Sequence, residues 1–251
     1  MGTMAEVPAS PQAVGTGYSV PEAGPLIKAV LVAMDGATDP KSARALVVRE
    51  LQTVKAAATA GFEATFRESP RQARALISAQ AALTDVLVEA TLAAAMHLHP
   101  LANPTEAERI AVLGVGGYGR AEMAPQSDVD LLFLTPWKIT PWAESVIETM
   151  LYMLWDLKLK VGHSSRTVKD CLRLGREDVT IRTALLEHRF ISGHAPLAAE
   201  LGDRLWGELF KNSGPEFIEA KLLERTERHK RQGGQRYVLE PNVKEGKGGL
   251  R

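Results

Sequence analysis

Residues 109–134, RIAVLGVGGYGRAEMAPQSDVDLLFL, restrict this chain more than any other stretch. Ile110 to Leu113 is an apolar run with the length of a buried strand. Gly114, Gly116, Gly117 and Gly119 follow at once. They leave the backbone free to turn sharply and to approach a ligand closely. A second strand is predicted from about Val129 to Leu134, with Asp128 and Asp130 at its start. Side chains in a strand alternate, so both carboxylates project from one face. Two acids at the mouth of an apolar strand repel each other unless a cation lies between them, and hard divalent cations take carboxylate oxygens.

A dinucleotide fold, a Walker loop and a plain capped connection each fit the stretch less well. Gly114, Gly116 and Gly119 satisfy the dinucleotide pattern G-x-G-x-x-G, which by itself is a weak signal. That fold needs a helix to begin at the glycines and cross to the next strand. Only residues 120–127 are available, and Pro125 lies among them, so no full crossover helix fits. A Walker loop is excluded, because no Gly-Lys-Ser/Thr follows. A plain connection with capping aspartates leaves Ser127-Asp128-Val129-Asp130 and the apolar run after it without a reason.

GVGGYGR followed by SDVDLLFL resembles the DNA polymerase β-type nucleotidyltransferase superfamily, marked by paired glycines and then Asp-x-Asp on the next strand. Five segments narrow the resemblance: Gly116–Arg120, Ser127–Leu134, Val161–Thr167, Thr183–Arg189 and Glu240–Arg251. Together they resemble the uridylyltransferase domain of the bacterial bifunctional PII uridylyltransferase/uridylyl-removing enzymes, over roughly residues 109–251. The resemblance implies an α+β fold: a polymerase β-like core with a small mixed sheet, an N-terminal helical hairpin and a C-terminal helical region. It implies UTP as donor, a tyrosine hydroxyl of the nitrogen signal protein PII as acceptor, and pyrophosphate as leaving group. Asp128 and Asp130 are the expected catalytic pair and hold the metal, expected to be Mg2+. The amides around Gly116 and Gly117 are expected to cradle the triphosphate, since successive amides in a turn make an anion site. Ser127 and Arg120 are further nucleotide-side candidates, and Lys244 is the phosphate-side candidate in the last segment.

The superfamily commonly places a third acid on a later strand facing the pair. Here the corresponding words, KVGHSSRT, carry none, and Gly162 or His163 stands where one is expected. Asp178, Glu187 and water are the candidates for that ligand. The uridylyl-removing and glutamine-sensing domains of the family are expected to lie outside this chain. The expectation is therefore a fragment without removing activity, to which glutamine matters only through absent domains. Two alternatives stay open at this point: a protein nucleotidyltransferase using ATP, and a non-catalytic nucleotide-binding module.

At 251 residues with zero formal net charge, the chain has no basic tract for nucleic acid. Its single cysteine, Cys171, suits a reducing cytoplasm. No apolar run is expected to reach the ~18 residues that cross a membrane. Residues 1–24, rich in Pro and Gly, are expected to be a disordered tail. An N-terminal helical region follows over 25–100, the nucleotidyltransferase core over 101–170, and a helical region with the start of a further segment over 171–251.

Within the first region a short helix is expected over 26–34. A long one opens at Asp39-Pro40, with Asp39 as N-cap. Another opens at Ser69-Pro70 and runs to about His97. His97 and His99 read as a solvated helix terminus rather than a metal pair. Pro141 opens a helix whose core side includes Ile147, Met150, Leu151, Leu154 and Trp155, and a third strand follows over Leu159 to Ser165. His163 on that strand reads as a histidine bonded within the sheet. Residues 168–209 read as helices, and a last helix opens at Gly214-Pro215. Its charged end, with Arg228, Lys230 and Arg231, reads as a solvated face with triphosphate contact as the alternative.

Overall fold

The computed structural model describes residues 17–231. Lys244 and the segment Glu240–Arg251 lie outside the described residues. Four strands form one mixed sheet: β1 (Ala111–Gly114), β2 (Val129–Thr135), β3 (Val161–Thr167) and β4 (Arg189–Gly193). Their order is β3-β2-β1-β4. β1 runs antiparallel to β2 and to β4, while β2 and β3 are parallel. The fold is α+β, as expected.

Helices α1 (Ala23–Met34), α2 (Pro40–Glu68) and α3 (Ala73–Leu98) precede the sheet. The side chain of Asp39 accepts the amides of Lys41 and Ser42, and Pro40 takes the first turn, where its missing N–H costs nothing. Pro70–Gln72 forms a 3-10 turn ahead of α3. Gly116–Gly119 closes into a single turn, α4, and residues 120–127 hold no helix, so β1 returns to β2 as an antiparallel neighbour. The parallel pair needs a crossover, which α5 (Pro141–Asp156) supplies. Then come α6 (Val168–Glu177), α7 (Val179–Leu186), α8 (Ala195–Leu205) and α9 (Gly214–Arg231).

Strand alternation divides the interior into two cores. Val129, Leu131 and Phe133 of β2 join Val112 and the residues of α1, α2, α3 and α5 on one face. Leu132, Leu134, Ala111 and Leu113 join Leu172, Leu185 and Leu201 on the other. The sheet is therefore the middle layer, with β1 and most of β2 buried and the start of β3 open to solvent.

Four expectations are corrected. Residues 189–193 form β4 instead of helix, because β1 offers them a pairing edge that no local pattern reveals. The tail ends before residue 24: Tyr18 is buried with its ring edge-on to Phe62, and α1 has begun at Ala23. Trp155 is 43% exposed, outside the core expected for it. The stretch Pro70–Leu98 is long and apolar enough to cross a membrane by composition, with a mean hydropathy of 1.4 over its best window. Averaging tolerates Asp85 and Glu89, which interrupt the run when it is read residue by residue. In the fold 67% of that window is buried inside the protein.

Gly119 marks the tightest approach. A Cβ there would lie 1.8 Å from the carbonyl oxygen of Glu187, at the end of α7. Gly119→Ala is expected to destabilise by at least about 1–3 kcal/mol, the scale of overpacking a filled interior. The measurement is the urea midpoint, which should fall with an unchanged slope.

Candidate active site

Asp128 and Asp130 flank Val129, which is fully buried, while both acids are exposed. Alternation along β2 turns the Asp130 carboxylate away from the core that Val129 joins, and Asp128 is exposed just before the strand. Asp130 is paired in register with Gly162 of β3. A Cβ on Gly162 would meet Asp130 Oδ1 at 2.6 Å, and one on Gly116 would lie 3.6 Å from Oδ2. The Asp130 carboxylate therefore sits between two glycines on separate elements. The turn is tied to the same strand, since the Val115 amide donates to the Asp130 carbonyl at 3.0 Å. Gly116 itself has φ +60°, which only glycine adopts without strain. Gly117 and Ser127 lie in the same connection, and Ser127 is exposed beside Asp128.

The glycine turn is held from beneath. Tyr118 is buried and donates its hydroxyl to Asp85 Oδ1 at 2.7 Å. Burial first, then the Asp85 carboxylate, push this hydroxyl well above the usual phenol range, so it remains a neutral donor. Arg189 clasps the same carboxylate with two bonds, 2.7 and 3.0 Å. It also donates to the carbonyls of Tyr118 and Gly119, at 3.1 and 3.2 Å. Asp85 and Arg189 are both buried. The sequence marks neither residue as functional, although an acid inside an apolar helix signals a buried partner.

Arg120 does not point at a free anion site among the described residues. Its guanidinium pairs with Glu187 at 2.7 Å and Glu122 at 3.2 Å. That engages Glu187, one candidate for the third metal ligand. Asp178, the other, caps α7 by accepting the amides of Thr180 and Ile181 at 2.6 and 3.0 Å. The Ile181 amide and then that of Thr180 hold its carboxyl below the usual range. No group of three or more His, Cys, Asp or Glu residues is poised to hold a metal among the described residues.

The remaining candidates engage other groups, although His163 also borders the groove beside Asp130. His163 turns its ring toward Phe133 and Trp155, on the face opposite Asp130. His99 bonds Thr149 at 2.8 Å. On α9, Lys230 pairs with Glu227 and Arg228 with Glu224, the ion pairing of a solvated helix face.

A groove of about 260 Å³ continues from Asp130 and Gly116 between β3 and α7. Leu132, Ile181 and Leu185 wall it, and Ser164 and Arg166 line it from β3. Arg166 belongs to the VGHSSRT words, but only the register shows which face it takes.

A mixed sheet with a glycine turn set against an Asp-x-Asp strand defines the class: this is an α+β nucleotidyltransferase core. A family model described as GlnD PII-uridylyltransferase matches residues 216–251. The chain is 73% identical over 233 residues to the bifunctional uridylyltransferase/uridylyl-removing enzyme of Cereibacter sphaeroides, covering 92% of the chain and 25% of that relative. The protein of the same name from Ruegeria pomeroyi is 63% identical over 86% of the chain and 24% of its own length. That from Rhodospirillum rubrum is 46% identical over 85% of the chain and 23% of its own length. The chain belongs to the family of these bifunctional enzymes and spans about a quarter of the length of the curated relatives it matches.

The clasp beneath the turn yields a test. Asp85→Ala leaves the Arg189 charge buried and unpaired, and is expected to cost about 3–5 kcal/mol in urea unfolding. The double variant Asp85→Leu/Arg189→Met removes both charges and should recover part of that loss, the remainder being the buried Tyr118 hydroxyl and Gly119 carbonyl left without their partners.

Proposed function

We propose that this chain transfers a uridylyl group from UTP to a tyrosine hydroxyl of the signal protein PII, with Mg2+ as cofactor and pyrophosphate as product. The observation that carries the reading is the Asp130 carboxylate lying between Gly116 and Gly162, with Asp128 exposed two residues before it. The names of the relatives supply the uridylyl group, and the family description supplies PII.

The residues present fit a magnesium ion. Hard oxygen donors suit it, and it is commonly bound through one or two carboxylates together with substrate phosphates and water. Two acids without a third therefore suffice to hold it. When bound, Mg2+ neutralises charge that builds on the phosphoryl oxygens. Asp128 and Asp130 would hold the metal. The amides at Gly116 and Gly117 grip phosphate oxygens, and Ser127 donates its hydroxyl to another. The acceptor oxygen attacks the α-phosphorus in line. The bond from that phosphorus to the oxygen bridging it to the β-phosphate breaks, and pyrophosphate leaves. Lys244 is the proposed phosphate-side cation of the last segment. The engagement of Arg120 with two carboxylates favours a role in bracing the turn against α7 over direct phosphate contact. A reducing cytoplasm is the proposed compartment.

The test is a transfer assay with PII and each of the four ribonucleoside triphosphates. UTP is expected to be used best, and a preference for ATP overturns the choice of donor. Chelation of divalent ions should abolish transfer. Asp128→Asn and Asp130→Asn should each lower the rate at least ~10²-fold, the scale of losing one charge-stabilising group in a transition state. Rates equal to the parent would remove the two acids from the mechanism.

A further inference from the structure

The groove beside Asp130 has a feature that phosphate binding does not use. Along β3, Gly162, Ser164 and Arg166 pair with Asp130, Leu132 and Leu134. The period of two places all three on the Asp130 face. Arg166 lines the groove, and its guanidinium makes no salt bridge or hydrogen bond among the described residues. Its charge reaches Asp178 only through space, at the capped start of α7. The apolar part of its wall is Val115, Leu132, Ile181, Ala184 and Leu185, with Ser164, Thr180 and His163 also in the lining. Apolar walls are a poor host for a triphosphate and a good one for the flat face of a base. At about 260 Å³ the space is smaller than a pocket for a whole drug-sized ligand, so it suits one part of a nucleotide. Four residues of strand also separate Arg166 from Gly162, roughly 13 Å at ~3.3 Å per residue. That distance sets its Cα far from the carboxylate end where the phosphates belong.

We propose that this groove receives the base of the donor nucleotide and that Arg166 determines which base is accepted. The inference rests on the donor site of the preceding subsection. A guanidinium has five N–H donors and no acceptor. It matches a ring edge that offers carbonyl oxygens and opposes one that offers an amino group. Uracil and cytosine are alike in size, and differ in whether a carbonyl or an amino group stands at ring position 4. Shape cannot separate them in this groove; a side chain that only donates does. A cation inside apolar walls also makes the wrong base costly, because the amino group displaces water from Arg166 without replacing its hydrogen bond.

The experiment is calorimetric titration of the full chain with UTP and with CTP in the presence of Mg2+, without acceptor. The parent is expected to bind UTP more tightly. Arg166→Gln presents an amide that turns to accept as well as to donate, so the ratio of the two dissociation constants should fall about tenfold or more. Arg166→Lys keeps the charge but loses the planar fork, and should weaken UTP while leaving CTP and the melting temperature in place. An unchanged ratio in Arg166→Gln overturns the inference. So does equal weakening of both nucleotides, which would put the guanidinium on the phosphates. If the parent binds neither nucleotide, the donor site itself is wrong, and that outcome is distinct from the other two.

Discussion

The arrangement depends on one buried ion pair. Asp85 comes from the middle of α3 and Arg189 from the first residue of β4, and they meet beneath the glycine turn. Such a pair adds little net stability, because each charge is stripped of water before it gains its partner. Its effect is positional. Arg189 directs its remaining donors to the carbonyls of Tyr118 and Gly119, the last groups of the α4 turn. Carbonyls at the end of a helical turn lack internal partners, and a cation suits them there. With the carbonyl end gripped from inside, the opposite end of the turn, at Gly116, is set against Asp130. The N-terminal helices therefore reach the turn itself through the Asp85 carboxylate.

The same clasp explains why so short a connection holds its shape. Residues 116–127 contain no regular element longer than one turn. Its anchors are Tyr118 on Asp85, Val115 on the Asp130 carbonyl, and Met123, whose amide reaches the Ile77 carbonyl at 3.2 Å. Arg120 adds a bridge to Glu187 on the α7 side. The anchors come from α3, β2 and the end of α7. A loop fixed this way brings a backbone surface to the acids without the reorganisation that a free loop must undergo on binding.

What the sequence made legible was local. The cap at Asp39 and the exclusion of a crossover helix by Pro125 follow from short-range rules, and both stand in the structure. The illegible parts depend on distant partners. Asp85 looks like a polar interruption in an apolar helix until Arg189, 104 residues away, is placed beside it. β4 has no periodicity of its own and becomes a strand only because β1 offers a free edge. Arg166 is visible as part of a family word, yet its face depends on a parallel register that no local pattern specifies. His163, next to Gly162, is readable as a ligand or as packing; the ring contacts with Phe133 and Trp155 decide for packing.

A third acid on β3 would meet the Asp130 carboxylate directly. The position facing Asp130 on β3 is Gly162, where even a methyl group would press into the carboxylate at 2.6 Å. A side chain there would require the exposed Asp130 carboxylate to move aside, and an aspartate would add charge repulsion. The next residue faces the other core, so an acid at 163 would be turned away from the site. The first position on the correct face with room for a side chain is Ser164, already displaced from Asp130 by one step of the pleat. With this backbone, β3 lines the site and leaves the charged ligands to β2. The glycine lets two strands close around one carboxylate, and a magnesium ion held as proposed by Asp128 and Asp130 would take its remaining ligands from water and from the phosphates of the substrate. Such a site binds its ion most firmly when the nucleotide is present, so metal and donor are expected to bind as a linked pair.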